Sequence, residues 1–180
     1  MIDINKIKHK VNIRIRGRRL QDDINKKAAK QAILMTLQYE KVDKLCVVNI
    51  LVTGDKELRD FNREYRGIDR PTDVLSFPMQ TFSHAGWDGC AMPEFDEDTG
   101  DLPLGDIVIS KESIKRQAKE NGNTTEKETT YLLIHSTLHL LGYDHENIKS
   151  KKAMRTKEKQ ILKSVNYVGA TVPVARQEKR

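Results

Sequence analysis

Cysteine is almost missing from this chain of 180 residues: there are two, Cys46 in a Val/Ile-rich stretch and Cys90 in a Gly-rich acidic loop. That usage excludes a disulfide scaffold. Long apolar runs are missing as well. No stretch approaches the ~20 apolar residues of a spanning helix, and nothing near Met1 reads as a secretory leader, so we expect a soluble cytoplasmic protein without membrane contact. No internal repeat is visible. Basic residues vanish between Met79 and Asp106, where Asp88, Glu94, Asp96, Glu97, Asp98, Asp101 and Asp106 are found.

Elsewhere positive charge is plentiful, and the formal net charge is +6. Lys6, Lys8, Lys10, Arg14, Arg16, Arg18 and Arg19 crowd the first twenty residues. Lys149, Lys151, Lys152, Arg155, Lys157, Lys159 and Lys163 crowd a late segment. Such a field favours polyanions without saying which, and either cluster alone reads equally well as a solvated face.

Periodicity gives the architecture. Apolar and polar residues alternate from Ile2 to Ile15, as in strands with one wet face. Ile24, Ala28, Ala32, Met35 and Tyr39 recur at helical spacing within 21–40. The run Leu45 to Thr53 is nearly all apolar and predicts a strand covered on both faces, ended by Gly54. Asp55 is a candidate cap, and Leu58, Phe61 and Tyr65 mark the core stripe of a helix closed by Gly67. Pro71 sets a turn over 69–73, followed by a short strand, Val74–Phe77. The segment 79–103 lacks periodicity and reads as a loop or insertion. A strand at Ile107–Ile109, a helix capped by Ser110 and running to Glu120, a break at Asn121–Asn123 and a basic helix over 151–165 complete the pattern. We therefore expect an α+β fold: one domain over 1–165, with a mixed sheet of about four strands packed against several helices, and a loose tail over 166–180.

The chemistry concentrates in His135-Ser-Thr-Leu-His139-Leu-Leu-Gly-Tyr-Asp-His145. Thr125-Glu-Lys-Glu128 matches a capping box and starts a helix that carries the first two histidines. Positions four apart lie ~40° apart around a helix, so His135 and His139 leave one face. Gly142 can stop the helix in a left-handed turn and let His145 return toward them. Leu132, Leu133, Ile134, Leu138, Leu140 and Leu141 predict a helix buried nearly all round. Buried imidazoles need partners, and one metal ion satisfies three at once. Three imidazoles with an open fourth position describe a catalytic zinc site, in which the ion lowers the pKa of a bound water to about 7.

The same spacing occurs in metzincin proteases, where a Glu follows the first histidine as general base. Here that position is Ser136, which has no comparable basicity. The spacing alone leaves peptide and phosphodiester hydrolysis both open. A non-catalytic assembly factor is a third reading, with structural zinc closed by a fourth ligand such as His84 or Cys90.

The chain resembles the YbeY family of zinc-dependent endoribonucleases. Its histidine block follows the family pattern H-G-x-L-H-L-x-G-Y-D-H except for Ser136 in place of glycine. Asn62-Arg-Glu-Tyr-Arg66-Gly-Ile-Asp69-Arg-Pro-Thr-Asp73-Val-Leu-Ser-Phe-Pro78 and Leu104-Gly-Asp-Ile-Val-Ile-Ser110 supply two further blocks in the family's order. The resemblance implies one zinc ion on His135, His139 and His145 with a water, and cleavage of single-stranded RNA rather than DNA. It also implies action on 16S rRNA and the small ribosomal subunit with its assembly factors, and a catalytic role for Arg66. A guanidinium there can hold a phosphate, although it could also cap its own helix. Arg66, Arg70, Lys151 and Lys152 are the candidate RNA contacts. Asp73 and Asp144 are read as turn residues.

Overall fold

The computed structural model describes residues 6–17, 24–87 and 93–165. In chain order the elements are β1 (Lys10–Ile15), α1 (Lys26–Tyr39), β2 (Cys46–Thr53), α2 (Asp55–Arg66), β3 (Val74–Pro78), β4 (Leu102–Ser110), α3 (Lys111–Glu120), α4 (Thr125–Leu140) and α5 (Ile148–Ser164). The strands form one mixed sheet in the order β1-β2-β4-β3, with β1, β2 and β4 parallel and β3 antiparallel to β4. The expected α+β architecture is therefore the observed one. Among the described residues no helix is long and apolar enough to cross a membrane. The alternating residues Ile2 and Ile4, the start of the expected first helix at 21–23, and the tail after 165 lie outside the described residues.

One sheet face carries the main core. Val48, Ile50, Val52, Ile107 and Ile109 meet Ile33 and Leu37 of α1, Leu133 and Leu138 of α4, and Ile161 of α5, all essentially without solvent contact. Each such side chain contributes about 1.5–3 kcal/mol by leaving water. On the opposite face α2 buries Leu58 against Leu75 and Val108, with Leu51, Phe61 and Phe77 at the margin. This second layer is short. It covers β3 and β4 and leaves the outer part of β1 and β2 open, so β2 is not buried on both faces as its composition suggests: Asn49 is exposed, and Val47 and Leu51 are half-buried.

The same gap corrects the reading of Tyr65, which lies on the expected stripe of α2 yet is 60% exposed because no layer extends over it. In α1 the buried face is Ala29, Ala32, Ile33, Thr36 and Leu37 rather than the Met35–Tyr39 stripe. Strand β4 begins at Leu102, inside the segment read as a loop. Val47 pairs with Pro103 and Val48 with Gly105, so Leu104 is an extra residue on β4 where the register shifts. A bulge of this kind accommodates a proline that has no amide to give to the ladder.

A candidate metal centre

Thr124, one residue before the expected cap, accepts from the Lys127 amide at 3.1 Å and starts α4. Glu128 is buried and faces the Asn121 and Asn123 amides instead of reaching back to the cap. The far end is built as the sequence indicates. Gly142, at φ 80°, donates to the His139 carbonyl, while Tyr143 N–H donates to the Leu138 carbonyl, each at 3.0 Å. This paired closure of the last turn requires the left-handed residue. A side chain at Gly142 would also meet Phe82 at 3.0 Å.

The turn brings His145 to the two helical histidines. One ligand nitrogen from each of His135, His139 and His145 lies within 4.8 Å of the others, and no further His, Cys or carboxylate among the described residues joins the group. His84 instead contacts Ser83 Oγ at 3.1 Å, and Cys90 lies outside the described residues. The tautomers follow from the outer partners. His135 Nδ1 meets the Glu158 carboxylate at 2.6 Å, and His139 Nδ1 meets the Tyr143 carbonyl at 2.8 Å. Both partners only accept, so both Nδ1 atoms carry the proton.

The two Nε2 lone pairs consequently face each other at 3.1 Å, an arrangement that calls for a cation between them. A tetrahedral ion with bonds of about 2.0–2.1 Å spaces two nitrogens by roughly 3.4 Å, so the three residues fit a metal ion. Burial, reinforced by the neighbouring His135, lowers the His139 pKa to about 4 and keeps that ring neutral and able to ligate.

Glu158 was invisible as a site residue in the sequence, where it looks like one charge among many in a basic helix. It is 5% exposed and also accepts from Tyr131 Oη at 3.2 Å. A buried carboxylate on the outer nitrogen of a ligand fixes the ring and raises its basicity. Glu158→Gln is expected to weaken metal affinity about 10- to 100-fold, read by competition with a chromophoric chelator; equal affinities would assign Glu158 to packing alone.

A second brace holds the turn. Tyr143 Oη donates to Glu40 at 2.8 Å, and Lys157 Nζ bonds the other Glu40 oxygen at 2.9 Å. Burial and the adjacent Glu40 carboxylate push the Tyr143 hydroxyl up to about 12. Residues 79–87, whose role the sequence left open, pack here as well: the Gly86 amide donates to the Leu141 carbonyl at 3.0 Å, and the Trp87 indole donates to Asp43 at 2.9 Å.

Ser136, the departure from the family pattern, is fully buried, and its hydroxyl has no hydrogen-bond partner among the described residues. An unsatisfied buried hydroxyl costs about 1–3 kcal/mol, and alanine is the better helix former. Ser136→Ala should therefore raise the melting temperature by about 2–6 °C in a thermal scan; a lower value would mean that the hydroxyl is bonded in solution.

Arg66 ends α2 and is exposed, with its guanidinium 3.5 Å from the Ser76 carbonyl of β3 and not on the last carbonyls of its own helix. Gly67, at φ 68°, turns the chain there, and Arg59 pairs with both oxygens of Asp69. Together with the Asn62 side chain on the Arg70 carbonyl, these bonds fix a cavity of about 440 Å3 lined by Arg66, Arg70, Arg116, Asp73 and Gln117. Strand β3 follows the cavity residues Arg70–Asp73 in the chain and packs against α4, the helix that carries His135 and His139. Asp73 accepts from Gln117 at 2.7 Å and Asp144 from the Glu146 amide at 3.2 Å, both structural roles. Lys151 and Lys152 are exposed near the start of α5, a helix that begins at Ile148, capped by Asn147, rather than at 151.

Three convergent imidazoles at the end of a buried helix and its closing turn, together with an arginine-lined cavity at the end of α2, suit a metal-site hydrolase acting on anionic substrates. Residues 10–166 match the family model described as Endoribonuclease YbeY. The chain is 42% identical over 142 residues to "Endoribonuclease YbeY" of Clostridium kluyveri, covering 76% of this chain and 87% of that protein. It is 43% identical over 136 residues to the protein of the same description from Acetivibrio thermocellus, covering 76% and 83%. A Thermotoga maritima protein solved in solution superposes with a TM-score of 0.53 at 29% identity, covering 86% of this chain and 88% of that one. The chain belongs to the YbeY family of endoribonucleases.

Proposed function

We propose that this protein is a zinc-dependent, single-strand-specific endoribonuclease that acts in the cytoplasm on 16S rRNA during maturation and quality control of the small ribosomal subunit, alongside that subunit's assembly factors. The observation that carries the reading is the pair of facing Nε2 lone pairs on His135 and His139, with His145 beside them. Zinc held there supplies Lewis acidity at the phosphodiester and makes water acidic enough to lose a proton near neutral pH.

The chain's own groups do the rest. Arg66 offers a planar fork of donors to a phosphate and offsets charge that builds as the phosphodiester is attacked. Arg70 stands on the same cavity wall, and Lys151 and Lys152, six and seven residues beyond His145, guide the backbone of the strand. Glu158 is engaged by His135 and Tyr131, which makes it a positioning residue rather than a general base. Ser136, where a protease of this spacing has its base, points its hydroxyl into the core.

The test is a comparison of substrates. The purified protein should cut a single-stranded RNA, leave the duplex of the same sequence and casein intact, lose cleavage on treatment with a chelator and regain it on addition of zinc. Cleavage of casein with RNA left whole would replace this reading with a protease.

A further inference from the structure

The sheet face left open beside α2 forms a groove of about 970 Å3. We propose that this groove seats unpaired bases of the RNA strand, with Tyr65 as the side chain on which a base stacks. The proposal rests on the ribonuclease reading and extends it to residues away from the metal.

Four observations converge on it. First, the Tyr65 ring is held from below and free above: it meets Phe77 edge-on at 5.2 Å between centroids and Phe61 at 6.1 Å, yet the residue is 60% exposed. A single exposed aromatic is ordinary on a surface, but one fixed by two others at the rim of a groove is a preformed stacking platform. Second, the floor is polar. Asn12 donates to Asn49 and Asn49 donates to Asp106, each at 2.9 Å, a ladder across β1, β2 and β4. Among the described residues the ladder leaves the second Asp106 oxygen and the Asn12 side-chain oxygen available to accept, which suits the exocyclic amine of adenine or cytosine.

Third, the far wall is basic. Lys10, Asn12 and Arg14 alternate on the outward side of β1, and Arg16 follows the strand, also exposed. Lys10 pairs with Asp101 and Arg16 with Glu57, while Arg14 is exposed, has no carboxylate partner among the described residues and can meet a phosphate. Fourth, Tyr65 is the neighbour of Arg66 in the chain, so a strand lying on the platform continues into the arginine-lined cavity. The floor sets the Asn12–Asn49–Asp106 ladder beside the apolar Leu51 and Val108, so a wholly apolar protein surface would bury that ladder without partners. A duplex has no base face to offer, because its bases are already stacked. Single-stranded nucleic acid matches both the aromatic wall and the basic one.

The experiment uses intact metal-loaded protein on ice with a short single-stranded RNA carrying one 5-iodouridine, irradiated and mapped by peptide mass spectrometry. Fluorescence anisotropy of the same RNA is followed for wild type, Tyr65→Phe, Tyr65→Ala and Arg14→Gln, each checked by thermal melting. We expect the crosslink on Tyr65 or Phe77, near wild-type affinity for Tyr65→Phe, and about 10- to 100-fold weaker binding for Tyr65→Ala. Arg14→Gln should lower the salt dependence by about one phosphate contact.

Crosslinks elsewhere with unchanged binding by Tyr65→Ala would overturn the groove and leave the ribonuclease reading standing. So would a concentration-dependent dimer that Tyr65→Ala dissociates while RNA affinity stays the same. Absence of both RNA binding and RNA cleavage in the wild type would overturn both.

Discussion

His139→Ala is expected to reduce bound metal from one ion per chain to almost none and to abolish RNA cleavage, read by elemental analysis and a gel assay on identically purified proteins. His139 is held at both ring nitrogens: its Nδ1 is 2.8 Å from the Tyr143 carbonyl, its Nε2 is 3.1 Å from His135 Nε2, and burial keeps it neutral. Two imidazoles with water in the remaining positions bind zinc far less well than three, because each lost ligand must be replaced by solvent that the site does not orient. The substitution also frees the Tyr143 carbonyl, so the turn that presents His145 loosens with it. A variant that keeps its metal would move the ligand set away from these residues.

Arg66→Ala should behave in the opposite way. Metal content and melting temperature stay near those of the wild type, because the exposed guanidinium makes one long hydrogen bond, at 3.5 Å, and touches no histidine; surface changes of this kind alter stability by about 0.5 kcal/mol or less. Cleavage falls about 10²- to 10³-fold, the usual loss when one preorganised donor is withdrawn from developing charge. The loss should appear in the single-turnover rate more than in RNA affinity. Arg66→Lys restores little of it, since an ammonium cannot present the bidentate fork. Undiminished cleavage by Arg66→Ala would leave the cavity at the end of α2 without a chemical role.

These two residues stood out in the sequence for different reasons. The histidines were legible from spacing, because a helix, a left-handed glycine and a short return are local devices, and 135–145 contains all of them. Arg66 was legible only through resemblance to other chains, since nothing local distinguishes it from Arg63. The sheet and its helices followed from periodicity, whereas the choice of buried face did not always do so. Helix α1 has apolar residues at 28, 29, 32, 33, 34, 35 and 37, so several stripes fit, and packing against α4 selects Ile33 and Leu37. In β2 the polar Asn49 within a β-branched run was the visible sign of an open face. Tyr65 kept the helical spacing of a core residue, and only the narrowness of the second layer exposes it. Glu158 lay beyond reach because its partner is 23 residues away, and no pattern marks which charge of a basic helix turns inward.

The seating of α5 has a kinetic consequence. Glu158 and Lys157 are consecutive on that helix, one bracing His135 and the other bracing the Glu40–Tyr143 pair that holds the turn. Opening of α5 would release both braces in one event, so the rate at which this helix opens limits how long the site stays organised. An ion that prefers the braced site would in turn favour the docked helix by that difference in binding free energy.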